Sequence, residues 1–241
     1  MLLCYKIENG KVQICDDVFY SNINSSETYL LEISRYYSSV TGQDLNVNIF
    51  LDDNIPALSI SMEKKVIFQS ELIKLKDVAM YLYFPHEIFH QIIGNQIRFE
   101  GEGKLWMMES FTEYMQWRYL LESNKAMAKR LLGFYFDRYF THAKHDVSLV
   151  KAGNNTSDDE NKATVESRGV LLFIYYFWMV DDIKLKKLLK EMREIKVINI
   201  NKFMELSSMA GVDTDELYAC LKQSKNVELY KNFVHELGNR L

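Results

Sequence analysis

His86, Glu87 and His90 stand in the order His-Glu-Ile-Phe-His, and Glu109 follows His90 after eighteen intervening residues. Histidines at i and i+4 lie one turn apart on the same face of a helix, where both imidazoles can reach one metal ion. The glutamate between them points beside that ion, where a base for an activated water belongs. A carboxylate from a following helix, Glu109, completes a three-ligand zinc site whose fourth position stays open. The pattern predicts a zinc hydrolase. The competing reading of the same residues is an amphipathic helix lined by two histidines, with Glu87 solvated.

The bulk of the chain sets bounds on that prediction. Its 241 residues allow one large domain or two small lobes, and 48% hydrophobic with 26% charged residues is ordinary globular composition. A net charge of −4 argues against a nucleic-acid partner, because nucleic-acid-binding domains carry a strongly basic face. Cys4, Cys15 and Cys220 are too scattered for a disulfide framework or a zinc knuckle and read as small buried residues. The first residues lack the basic and apolar regions of a signal peptide, and the longest apolar run, Val170 to Val180, is eleven residues, too short to span a bilayer. That run reads as a buried helix. The expectation is a soluble cytoplasmic protein that binds neither nucleic acid nor membrane.

The elements that must position these residues fall into two parts. Up to about residue 70 the pattern is strand-rich: Leu2–Ile7 and Val12–Cys15 flank the turn signal Glu8-Asn9-Gly10, and Leu45–Leu51, Ala57–Met62 and Lys65–Gln69 read as further strands. A helix opens at Ser25 and stops near Gly42. Beyond residue 70 the period is helical, over Glu71–Ile97, Leu105–Ser123, Lys125–Phe140, Thr164–Met179, Asp181–Ile195, Ile200–Ala210 and Asp213–Gln223, with one clear polar loop at Gly153–Asn161. Pro85, just before His86, marks either a kink or a new helix start. The fold class expected is α+β: a strand-rich N-lobe over 1–70 and a helical lobe over 71–241 carrying the zinc site, together one compact catalytic unit.

The motifs extend past the ligands. His90-Gln91-Ile92-Ile93-Gly94-Asn95 resembles the H-Q-x-x-G-N continuation of the metal helix in the gluzincin aminopeptidases, the group of aminopeptidase N and leukotriene A4 hydrolase. Trp106-Met107-Met108-Glu109-Ser110-Phe111-Thr112-Glu113-Tyr114 resembles that family's W-L-N-E-G-F-A-x-Y helix. The resemblance covers about residues 55 to 225. It implies a thermolysin-like catalytic core, zinc as cofactor, His86, His90 and Glu109 as its ligands, Glu87 as general base and a peptide as substrate. It also matches Ile60-Ser61-Met62-Glu63-Lys64 to the family's G-x-M-E-N edge strand, on Met62 and Glu63 alone, which would make Glu63 an anchor for a substrate ammonium.

Two departures follow from the same resemblance. Glu166, in Glu166-Ser167-Arg168-Gly169, occupies the place of the oxyanion-stabilising tyrosine of Y-E-K-G. A carboxylate cannot do that work unless protonated, so Arg168, His142, His145 or a shifted tyrosine becomes the replacement, with His145 foremost because imidazolium donates a hydrogen bond. Tyr175 and Tyr176 read as core. The family's N-terminal β-domain and C-terminal helical domain have no counterpart in this length, which leaves the cleft more open or closed by a partner subunit. Beside hydrolysis stand two other readings: a metallopeptidase-like module that binds peptides or proteins without cutting them, and Lewis-acid chemistry on a modified peptide or small metabolite.

Overall fold

The computed structural model describes residues 2–15, 26–74, 79–142, 147–152, 154, 159–222, 232, 235 and 236. They form two compact units, residues 1–96 and 97–241.

In the first unit, Leu2–Glu8 (β1) and Lys11–Ile14 (β2) form a hairpin through Asn9 and Gly10, both at positive φ (51° and 70°), the conformation a two-residue turn of this kind demands. Ser26–Thr41 (α1) buries Leu30, Ile33, Tyr37 and Val40, spaced three and four residues apart. Val47–Leu51 (β3) then alternates buried and half-buried residues. Ser59–Met62 (β4) and Lys65–Phe68 (β5) form a second hairpin, and β5 inserts between β3 and β4, giving the order β2-β1-β3-β5-β4. Strand β4 therefore lies at the sheet edge, antiparallel to β5. Val66, Ile67 and Phe68 are all buried, which fits an interior strand.

A single helix over Glu71–Ile97 is not what forms. Among the described residues helix α2 covers Ser70–Lys74, a widened π turn spans Ala79–Tyr83, and α3 runs Phe84–Phe89 before the chain breaks into turns. Pro85 explains the widening. Its ring has no N–H and would collide with the carbonyl of residue 81 in a regular helix, and a π turn opens that space. Apolar periodicity persists through residue 97 because Ile92, Ile93 and Ile97 are buried from a non-helical backbone.

The second unit is helical: Phe111–Ser123 (α4), Lys125–His142 (α5), Leu149–Ala152 (α6), Asp159–Thr164 (α7), Val170–Phe177 (α8), Asp182–Ile195 (α9), Ile200–Met209 (α10) and Thr214–Lys222 (α11). Short strands Arg98–Phe99 (β6) and Val197–Ile198 (β7) pair in parallel. Further π turns, Trp106–Ser110 and Val165–Gly169, lead directly into α4 and α8. Helix α8 buries seven of its eight residues, as its unbroken apolar run requires. Helix α9 starts at an Asp181 cap that accepts from the Lys184 amide, and its lysines are exposed.

Two expectations need correction. Helix begins at Asp159, five residues before Thr164, because Asp159 and Glu160 suit the positive end of a helix despite their polarity. Cys15 is exposed, whereas Cys4 and Cys220 are buried thiols. Among the described residues no helix is long and apolar enough to cross a membrane.

Candidate metal centre

Helix α3 and its C-cap residue present the two histidines, His86 and His90, both half-buried. The His86 and His90 Nε2 atoms face each other at 3.0 Å. His90 Nδ1 lies 3.0 Å from the Ile93 carbonyl oxygen, which only accepts, so Nδ1 carries the ring proton and Nε2 keeps its lone pair for a metal. The chain turn after the helix supplies that carbonyl, which gives the non-helical 90–96 segment a task.

Glu87 is buried at 6% exposure, and Ser59 donates its hydroxyl to Glu87 Oε1 at 2.7 Å. Its backbone carbonyl accepts from the Ser61 hydroxyl at 3.0 Å. Gln91 then clamps the β4–β5 turn: its amide nitrogen donates to Ser61 Oγ (2.8 Å) and to the Met62 carbonyl (2.9 Å), and its Oε1 accepts from the Lys64 amide (2.8 Å). Asn95 adds a longer bond to Ser61 Oγ at 3.4 Å. The Gln91 and Asn95 positions of the motif thus bolt the histidine segment to the edge strand.

Glu109 is held differently. It lies half-buried in the Trp106–Ser110 π turn, beside the buried Trp106, Met107 and Ser110. Ser110 donates to the Val165 carbonyl at 2.7 Å, in the second π turn of this unit. Between the two turns sits Gly169, where a Cβ would meet Ser110 Oγ at 2.2 Å and Trp106 Cδ1 at 2.6 Å. Behind them, Trp106 stacks on Phe173 (5.1 Å between centroids) and Phe173 stacks on Phe111 (5.1 Å).

One donor atom each from His86, His90 and Glu109 all lie within 4.8 Å of one another, forming the one such group of three or more His, Cys, Asp or Glu residues among the described residues. Two imidazole nitrogens held about 2.0–2.1 Å from one zinc at a tetrahedral angle stand roughly 3.3 Å apart, close to the spacing of the two rings. Two nitrogens and a carboxylate oxygen are a donor set that zinc accepts. The residues fit the ion.

Other residues singled out by sequence fall elsewhere. Glu63 sits exposed in the β4–β5 turn, just past the end of the edge strand, on a polar groove of about 400 Å³ with Asn46, Lys64, Gln91 and Gln96. Arg168 cannot be an oxyanion donor: it is fully buried, and its guanidinium donates to the carbonyls of Val147 (3.0 Å) and Cys220 (3.1 Å). His142 is exposed in the last turn of α5, and His145 lies outside the described residues. Tyr176 is buried with its hydroxyl 3.3 Å from Cys220 Sγ, whereas Tyr175 is half-buried.

Glu166 is 15% exposed and pairs with Arg138 at 2.8 Å and with Lys162 at 3.6 Å. Burial holds its carboxyl above the ordinary range; Arg138 and Lys162 oppose that, and the charges of Glu113 and Glu109 add to it. Glu113 accepts a short hydrogen bond from the fully buried Tyr135 hydroxyl. Sequence reasoning missed Arg138 and Tyr135, which stand three residues apart on α5 and so share a helix face.

Neither a protein-family model nor a curated protein sequence matches the chain. Its fold is similar to that of the M1 zinc metallopeptidase of Deinococcus radiodurans. A mutant form of that protein bound to the peptide Tyr-Ser-Ala superposes with a TM-score of 0.62 at 14% identity, over 84% of this chain and 44% of the other. The mutant alone gives 0.62 at 15% identity, over 83% and 45%. The unmutated protein gives 0.59 at 16% identity, over 83% and 45%. The chain thus spans less than half the length of these neighbours. What it shares with M1 zinc metallopeptidases is the fold.

Proposed function

We propose that the protein is a zinc-dependent peptide-bond hydrolase, a cytoplasmic, aminopeptidase-like enzyme with a thermolysin-like core of the gluzincin kind. The observation that carries this reading is the convergence of donor atoms from His86, His90 and Glu109 within 4.8 Å, beside a buried Glu87. Those three residues would hold the ion. When bound, zinc acidifies water from a pKa of about 15.7 toward about 7 and polarises a carbonyl oxygen.

Glu87 takes the proton from the attacking water as the new O–C bond forms, and returns it to the leaving amine nitrogen as the C–N bond breaks. Ser59 fixes which carboxylate oxygen stays free for that task, because its hydroxyl occupies Oε1. His90 keeps the tautomer a ligand needs through Ile93. Glu63, exposed past the edge strand, is the anchor proposed for a substrate ammonium.

A second reading, a peptide- or protein-binding module, draws on Glu166 standing where the family carries a tyrosine. A binder has no use for Glu87. Substitution Glu87→Gln separates the two. The hydrolase reading expects one zinc per chain in both proteins and a loss of turnover on the order of 10⁴-fold in the variant, the upper range for a general base. Zinc bound by the wild type with no cleavage of any peptide in a panel of free and N-blocked substrates would favour the binder.

A further inference from the structure

Helix α5 carries a cation toward the carboxylates around Glu109. Arg138 Nη1 meets Glu166 Oε2 at 2.8 Å, and its side chain is 24% exposed, so it is neither locked in the core nor fully hydrated. The guanidinium carbon lies over the Phe134 ring, 6.0 Å from its centre. Glu166 is close enough to Glu109 and Glu113 for both charges to act on it, which places the Arg138–Glu166 pair in the same acidic group as the candidate ligand. The chain geometry agrees. Glu166 and Gly169 share one π turn, and Gly169 packs against Ser110, the residue after Glu109.

Two other donors of the second unit, Arg168 and Tyr135, are committed elsewhere. Both Arg168 terminal nitrogens serve core carbonyls, and the Tyr135 proton goes to Glu113. A guanidinium has five N–H donors in a planar fork, and Glu166 engages one side of it. Lys162 shares the Glu166 carboxylate at 3.6 Å, so a shift of Arg138 toward a new anion leaves Glu166 with a counter-ion.

We propose that Arg138 is a catalytic residue, donating a hydrogen bond to the oxygen that becomes negative when a peptide carbonyl is attacked, with Glu166 as the residue that positions it. This rests on the hydrolase reading above. As water adds, the carbonyl π pair moves onto oxygen and Glu87 takes the water proton; Arg138 transfers none. When the C–N bond breaks, the pair re-forms the carbonyl and the nitrogen receives the proton from Glu87. A charged donor makes hydrogen bonds about twice as strong as a neutral one, which suits a site where Glu166 stands at the motif position of the phenol.

The test compares wild type, Arg138→Gln, Arg138→Lys and Glu166→Gln, all loaded with zinc. Calorimetry with a phosphinic peptide, a tetrahedral anion, reads the donor independently of turnover. Loss of one oxyanion donor predicts phosphinate affinity and kcat both lower by about 100- to 1000-fold in Arg138→Gln, with zinc stoichiometry intact and KM within about threefold. Arg138→Lys restores about a tenth to a third of the loss, since an ammonium keeps the charge without the fork. Glu166→Gln lowers kcat by about tenfold at unchanged KM, the split expected of a group that acts through Arg138. If wild type binds the phosphinate and Arg138→Gln loses it while neither cleaves peptides, the hydrolase reading fails and the catalytic role with it, and Arg138 stands only as a donor to a bound tetrahedral anion. Equal phosphinate affinity in wild type and Arg138→Gln overturns the proposal, as does zinc lost from that variant or a zinc-loaded wild type that ignores the phosphinate.

Discussion

In the first unit, polar side chains tie the histidine segment to one strand edge: Ser59 and Ser61 hold Glu87, and Gln91 and Asn95 reach back to Ser61, Met62 and Lys64. In the second, Glu109 rides on a π turn seated by close packing, with Gly169 between Trp106 and Ser110 and an aromatic stack behind. The two solutions answer different needs. A base, the role proposed for Glu87, must be aimed while it stays able to exchange a proton, and the Ser59 hydroxyl on Oε1 orients it. A carboxylate proposed as a ligand, Glu109, need only be kept in place, and close packing around the turn that carries it does this through the backbone. Hydrogen bonds set direction; steric closure sets position.

The largest effect should come from breaking the closure. Gly169→Ala puts a methyl group where Ser110 Oγ is 2.2 Å away and Trp106 Cδ1 is 2.6 Å away, and Trp106 is fully buried in the stack, so the turn must shift. Overpacking of this kind costs about 3 kcal/mol or somewhat more. Trp106, Trp117 and Trp178, all three tryptophans of the chain, lie in residues 97–241, so tryptophan fluorescence during urea unfolding follows this unit alone. A midpoint equal to wild type would show that the turns are not seated by Gly169.

Breaking the polar ties should cost less. Gln91→Ala removes the side-chain acceptor of the Lys64 amide and the donor to the Met62 carbonyl and Ser61 Oγ in one step. Buried groups deprived of partners cost about 1–3 kcal/mol, and here the turn they sit in is partly solvated, which favours about 1–2. Amide hydrogen exchange over 59–68 should rise while exchange over 97–222 stays unchanged. If protection of the second unit falls equally, the division of labour drawn above is wrong.

Much of the site was legible from side-chain types, and what escaped was set by backbone and distance. His86, Glu87, His90 and Glu109 are recognisable because few residue types do metal chemistry and their spacing fixes a helix face. Gln91 and Asn95 were visible only as letters of a motif; that they clamp an edge strand depends on β5 inserting between β3 and β4, which no local pattern reveals. The helix over Glu71–Ile97 failed because buried isoleucines keep a helical rhythm across turns. Arg138 was hidden because its partner is twenty-eight residues away on another element, and an arginine at a polar helix position resembles any solvated cation. Arg168 misled in the opposite sense, a charge two residues from Glu166 that is fully buried and donates to the Val147 and Cys220 carbonyls.

The remaining effect, absent at neutral pH, is alkaline and belongs to the packed unit. Burial, and then the Glu113 charge, push the Tyr135 phenol well above its usual value of 10, and burial likewise raises that of Tyr114. Unfolded tyrosines lose their proton near pH 10 while these two keep it, so the native state binds more protons above that pH. Stability is then fully present below about pH 10 and falls as pH rises, by about 1.4 kcal/mol per pH unit for each such tyrosine. Burial also raises the Tyr139, Tyr175 and Tyr176 phenols, so urea midpoints followed by tryptophan fluorescence between pH 9 and 11.5 should decline with at least two tyrosines' worth of slope, and Tyr135→Phe should remove one tyrosine's share of it. That variant also leaves Glu113 without its phenol donor, so its stability at neutral pH starts about 1 kcal/mol lower, and the two curves should converge as pH rises. Parallel curves would mean that the Tyr135 hydroxyl exchanges with solvent in the native protein, and that this face of α5 is wetter than its packing implies.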